Sequence, residues 1–135
     1  MSNAKFATAL HILSLLAYNK GGRLSSEYIA GSINLNPALV RKEISKLKKL
    51  GFIASKEGNG GGSYLARPAE RILLSEIYEA VKSVQLLGRY NKPNPACSVG
   101  RQINGHLDQL YLNTEQSLLA ALAQQNLQDF TNKFE

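Results

Sequence analysis

A mainly α fold with a small β-hairpin wing, arranged as a winged helix-turn-helix followed by a long dimerisation helix, is predicted by three features of the 135-residue sequence. A lysine-rich amphipathic segment runs from Asn36 to Leu50. Two apolar runs around a glycine-rich tip follow at once, Phe52 to Pro68, reading FIASKEGNGGGSYLARP. Beyond a connection containing Pro, Asn and Gly, apolar residues then recur every three or four positions from Val99 to Leu122.

Taken in order, Lys5 to Tyr18 carries apolar residues at Phe6, Leu10, Ile12, Leu13, Leu16 and Ala17, a stripe broad enough for a largely buried helix that the Gly21-Gly22 pair should end. Ser25 can cap a short second helix burying Ile29, Ala30 and Ile33, with Asn34-Leu35 making the turn into the third. There the start signals agree: Asn36 suits the N-cap, Pro37 the first helical position, and Leu35 is placed to staple onto Val40. Gly51 is the expected stop. In this third helix Leu39, Val40, Ile44, Leu47 and Leu50 are expected inside, leaving Arg41, Lys42, Ser45, Lys46, Lys48 and Lys49 to solvent.

Downstream, a helix is expected from Ser75 to Val84, then the long helix at about 97–124 with Val99, Ile103, Leu107, Leu110, Thr114, Leu118 and Leu122 on one stripe. So long an apolar stripe exceeds what a winged helix can cover, so the helix either pairs with a second copy or folds back on its own domain, and pairing is the expectation because two reading heads match two-fold half-sites in DNA. Leu127 to Phe134 should close either the dimer or the core through Leu127, Phe130 and Phe134. The division expected is a winged helix-turn-helix over 1–72 and a helical linker and dimerisation region over 73–135.

Charge separates the two halves. Residues 1–66 hold nine Lys/Arg against three acids, a balance of +6 equal to the formal net charge of the whole chain, while the rest is balanced. An excess confined to the half with the basic helix and hairpin is the electrostatic footprint of a polyanion binder, here double-stranded DNA. In helix-turn-helix proteins the start of the second helix reads bases while other cations hold phosphates. Asn36, Ala38, Arg41 and Lys42 are therefore candidates for base or groove contact, and Ser45, Lys46 and Lys49 for backbone positioning, with Ser25 and Ser26 at the first helix of the motif completing the set. Lys56, Asn59, Gly60, Gly61 and Ser63 place the wing near a minor groove or phosphate, where glycine lets the backbone approach closely. The glycines fit neither a dinucleotide fingerprint, which would open a helix, nor a P-loop, which needs Gly-Lys-Ser/Thr.

The segment Gly58 to Pro68, with Ile72 and Leu74-Ser75-Glu76-Ile77 after it, resembles the wing and post-wing signature of the Rrf2 family of winged-helix regulators, which includes IscR, NsrR and CymR. Residues 9–15, ALHILSL, and 94–100, NPACSVG, look like its YwnA-type branch. The resemblance implies a sequence-specific, homodimeric DNA-binding protein, usually a repressor acting on a pseudo-palindromic operator. It also implies a dimer built on a long helix after the wing and a sensor in the loop before that helix.

Cys97 lies in that loop. Cluster-binding members carry three cysteines there and this chain has one, so no iron–sulfur cofactor is expected. A seat at a helix start, with Arg89, Lys92 and Arg101 near in sequence, makes Cys97 a candidate for oxidation or electrophile modification, with an inert thiol as the plain alternative. His11 and His106 have no metal-ligand spacing, no nucleophile motif surrounds Cys97 or either histidine, and no enzyme is expected. No run approaches the roughly 18 apolar residues of a membrane span, and with no signal-peptide pattern the expected location is the cytoplasm. Two alternatives stay open: a small-molecule-responsive regulator with a pocket between winged helix and long helix, and a protein-interaction module without specific DNA affinity.

Overall fold

The computed structural model describes residues 4–20, 22–82 and 86–135. Helix α1 (Lys5–Tyr18) is the spine of the core, with Ile12, Leu13 and Leu16 fully buried. It ends before the glycines: Asn19 caps it and Lys20 takes the left-handed conformation at φ +46°. Helix α2 (Ser26–Ile33) starts where the Ser25 hydroxyl accepts a hydrogen bond from the Tyr28 N–H at 3.1 Å. Asn34, at φ +63°, then turns the chain into α3 (Pro37–Lys49), whose first turn is held by the Asn36 side-chain Oδ1 accepting from the Ala38 N–H at 2.7 Å. Asparagine tolerates the left-handed region better than most side chains, which suits it to this turn.

Strands β1 (Ile53–Lys56) and β2 (Gly62–Leu65) pair antiparallel, Ile53 opposite Leu65 and Lys56 opposite Gly62. The outer edge of β2 is covered by Leu24, whose N–H and C=O both bond to Ser63 at 3.0 and 2.8 Å. That pairing fixes the residue at position 62. A Cβ on Gly62, which sits at φ +134°, would lie 2.7 Å from the Leu24 carbonyl oxygen.

After a single 3-10 turn at Ala69–Arg71 comes α4 (Leu74–Val81); Val84, expected in this helix, lies outside the described residues. Arg67 stitches the wing to α4: it donates to Glu76 at 2.7 Å and to the Arg71 carbonyl at 2.7 Å, with its guanidinium 5.7 Å from the centre of the Phe52 ring. Helix α5 (Ser98–Leu122) follows, and α6 (Leu127–Thr131) brings the chain back to the core. The return is made by backbone, Leu127 N–H donating to Ile72 C=O at 2.7 Å and Leu74 N–H to Gln125 C=O at 3.0 Å. Asn126 and Asp129 cap α6 reciprocally at 2.7 and 3.0 Å. Leu74, Ile77 and Leu127, all beyond residue 72, are buried in one cluster with Ile12, Ile29, Val40 and Leu47.

Helix α5 stands apart. Over 25 residues it contains no buried position, which leaves Val99 68%, Ile103 40% and Leu110 54% exposed. Only its far end reaches the core, through Leu122. The connection preceding it doubles back along it: Tyr90 stacks on Tyr111 at 5.5 Å and donates to Asp108, Asn104 donates to the Asn91 carbonyl, and Lys82 pairs with Glu115 at 2.7 Å.

Candidate nucleic-acid interface

Helix α3 exposes one cationic face. Val40, Ile44 and Leu47 are buried, and Ala38, Lys42, Ser45 and Lys49, spaced i, i+4, i+7 and i+11, form the opposite line, flanked by Arg41 and Lys46. Two expected core residues fall outside the buried stripe: Leu39 is 44% and Leu50 50% exposed. Three inward positions already fill the contact with α1, α2 and β1, so the flanks of the stripe have nothing to pack on. Leu39 thereby adds an apolar side chain to the exposed surface of α3.

The charges on this face are largely unanswered. Lys46 has Glu43 one turn back at 3.5 Å, whereas Lys42, Lys48, Lys49 and Lys56 have no ion-pair partner among the described residues. Glu27, on α2, is held below the usual carboxylate range first by the Ser26 hydroxyl at 2.6 Å, then by its own backbone N–H, and more weakly by the charge of Arg41. At the start of α2, Ser25 is exposed and Ser26 half-buried. Asn36 is exposed, with its side-chain Oδ1 committed to the cap.

At the wing, Lys56, Asn59 and Gly60 are exposed, Gly61 is half-buried, and Ser63 is buried at 6% exposure. Ser63 is a correction to the sequence reading. Its backbone is enclosed between Ser55 of β1 and Leu24, and little of the residue reaches the outer surface. Arg23 takes a place the sequence did not suggest. Its guanidinium lies 5.6 Å from the centre of the Tyr64 ring and reaches the Gly60 carbonyl at 3.5 Å, 37 residues along the chain. Nothing local to Gly22-Arg23-Leu24 marks that partner, because the approach is created by the Leu24–Ser63 pairing.

A helix-turn-helix, a flanking hairpin and a detached long helix in this order match one family model over residues 2–133, that of Rrf2, described as an iron-dependent transcriptional regulator. The chain belongs to the Rrf2 family. It is 40% identical over 133 residues, 98% of either chain, to YwnA of Bacillus subtilis (strain 168), provisionally described as an HTH-type transcriptional regulator. Among solved structures it is similar to CymR (YrzC), the global cysteine regulator of B. subtilis, with a TM-score of 0.75 and 20% identity over 100% of this chain and 98% of that one. It is also similar to IscR of T. potens, with a TM-score of 0.75 and 21% identity over 100% and 88%. At those identities the two structures speak for the fold. The Rrf2 proteins are transcriptional regulators and not enzymes.

The iron in the family's description finds no matching donor set among the described residues of this Rrf2 chain. Cys97 is its single cysteine, and no group of three or more His, Cys, Asp and Glu among the described residues could hold a metal ion. Cys97 itself is exposed and caps α5, its Sγ accepting from the Gly100 N–H at 3.5 Å. Arg101, near it in sequence, donates instead to the Pro95 carbonyl at 3.2 Å. His106 is exposed on α5, and His11 shares a 2.9 Å hydrogen bond with the Ser32 hydroxyl. Among the described residues no helix is long and apolar enough to cross a membrane.

Proposed function

We propose that this Rrf2 regulator is a cytoplasmic, sequence-specific DNA-binding repressor that acts as a homodimer on a pseudo-palindromic operator. Residues 1–72 supply the reading head and 73–135 the linker and pairing region. The observation that carries this reading is the exposed line of α3, where Lys42 and Lys49 have no ion-pair partner among the described residues and lie on the half of the chain that holds the whole net charge. Such a face suits a major groove, where Ala38, Arg41 and Lys42 meet base edges and Ser45, Lys46 and Lys49 meet phosphates. The wing, with Lys56, Asn59 and Gly60 exposed, takes the adjacent minor groove or backbone.

Pairing through α5 is supported by its 25 residues without a buried position, and two copies present two reading heads to a two-fold half-site arrangement. Cys97, exposed at the start of the same helix, is a place where oxidation or an electrophile would alter the α5 cap and so the spacing of the heads.

Selection of duplexes from a random library by the purified protein, in reductant and after mild peroxide, tests the reading. A two-fold-symmetric motif is expected in reductant. Its loss after peroxide in the native protein but not in Cys97→Ser assigns the switch to the thiol, and the same motif in both conditions removes Cys97 from the mechanism. Failure to enrich any motif in reductant would refute sequence-specific binding and leave a protein-interaction module.

A further inference from the structure

We propose that Arg23 is a positioning residue for the wing: from outside the hairpin it holds the glycine-rich tip in one conformation, so that Asn59 and Gly60 meet the duplex already ordered; that last step rests on the DNA-binding reading above. The wing needs such support. Strands β1 and β2 pair over four residues each, and a two-stranded hairpin of that length is marginal by itself. Around its tip stand Gly58, Gly60, Gly61 and Gly62, of the residue type that loses most conformational freedom on ordering. A bond from the Gly61 N–H to the Gly58 carbonyl at 3.0 Å closes the turn, and Asn59 and Gly60 are exposed.

Backbone pairing brings Arg23 to this tip. Leu24 and Ser63 form an antiparallel bridge, and in that arrangement the residue before Leu24 comes beside the residue after Ser63. Arg23 is thereby laid against Tyr64, its guanidinium 5.6 Å from the ring centre and within the range of cation–π attraction. The same guanidinium points its Nη1 at the Gly60 carbonyl, 3.5 Å away. At that length the carbonyl aims the group more than it binds it, and the ring supplies most of the hold. A planar guanidinium can stack on a ring and donate from its edge at once, which suits arginine to both contacts. No carboxylate competes for it, because Arg23 has no ion-pair partner among the described residues. A tip held in this way before the duplex arrives spares the complex the entropy of ordering four glycines.

Nitrogen-15 relaxation of the backbone amides tests the hold without DNA. In Arg23→Ala the order parameters of Asn59 and Gly60 should fall toward the values below about 0.6 of flexible chain, while those of Ile53 to Ser55 stay as they were. Tyr64→Leu, which removes the ring, should loosen the same two amides. Unchanged order at Asn59 and Gly60 in Arg23→Ala would overturn the proposal, and an equal loss along β1 would overturn it too, by making Arg23 a general support of the hairpin. The consequence for binding is read by anisotropy of a selected duplex. Arg23→Ala should weaken that duplex several-fold with the salt dependence of the native protein, and adding Tyr64→Leu should weaken it little further, since both act through one contact. A salt slope lower by about 1, with losses that add, would make Arg23 a direct phosphate contact and overturn its positioning role. Native affinity in Arg23→Ala despite a loosened tip would overturn the link to the duplex alone. A native protein with an ordered tip that binds no duplex would instead refute the DNA-binding reading, leaving the hold of Arg23 on the tip in place.

Discussion

Arg41 and Lys46 lie on flanks of one exposed helix face yet are expected to fail differently. Replacing Arg41 with Ala should relax preference at particular base pairs, each worth about 1–3 kcal/mol if the contact is bidentate. Replacing Lys46 or Lys49 should weaken binding to every duplex alike, and a panel of single-base operator variants separates the two patterns. Gly100 is a different kind of residue-level constraint. A Cβ there would lie 2.7 Å from the Asn94 carbonyl oxygen and 3.3 Å from the Pro93 side chain, so Gly100→Ala must push the connection off the first turn of α5. A stability loss of about 1–3 kcal/mol is expected from the denaturation midpoint, as for other overpacked sites. Glu76 carries the pH dependence. Its carboxyl is held below the ordinary value first by the hydrogen bond from Arg67, which means that the ionised pair stabilises the fold above the unfolded value of about 4.3 and ceases to do so as pH falls through the lower folded one. Both side chains are 37% exposed, so solvent screening limits the effect to about 1 kcal/mol or less. Glu76→Gln should lower the midpoint of thermal unfolding slightly at pH 7, and the difference should vanish on acidification below that window.

Among the elements, the two helices to which the proposed function assigns reading and pairing differ in what supports them. Helix α3 is legible in the sequence because its determinants are local: Asn36 caps it, Pro37 opens it, and Val40, Ile44 and Leu47 recur at helical spacing. Helix α5 is equally legible as a helix, and with no buried residue of its own it is the element that the proposed pairing would stabilise. Substituting Ile103 and Leu110 together with Glu is therefore expected to leave the monomer folded, as neither is buried, and to move the sedimentation coefficient from dimer to monomer. A dimer that survives this double change would place the pairing surface elsewhere. The sequence marks Leu127 to Phe134 only as a segment that closes the dimer or the core. Leu127 and Thr131 are buried and Phe130 packs on the core, anchored by the backbone bonds to Ile72 and from Leu74, whereas Phe134, beyond the helix, is 48% exposed.

For the whole molecule, the separation of charge should make the proposed DNA binding steeply salt-dependent. The logarithm of affinity should fall with the logarithm of salt concentration by about 0.9 for each phosphate neutralised, and the slope should drop by about 1 for each phosphate-holding lysine removed from Lys46 and Lys49. A flat salt response would exclude phosphate contacts as the source of affinity. The sequence by itself determined the helices, the wing and the cationic face, since caps, glycines, helical spacing and charge act within one or two turns of chain. Only the tertiary structure decided that Ser63 is enclosed, that Leu39 and Leu50 are exposed, that Arg23 reaches the wing and that α6 returns to α1. Each of these follows from backbone pairing or packing between distant segments, Leu24 with Ser63 and Leu127 with Ile72 among them. A backbone N–H or C=O is the same in every residue but proline, so no side chain announces which distant strand or turn it will meet.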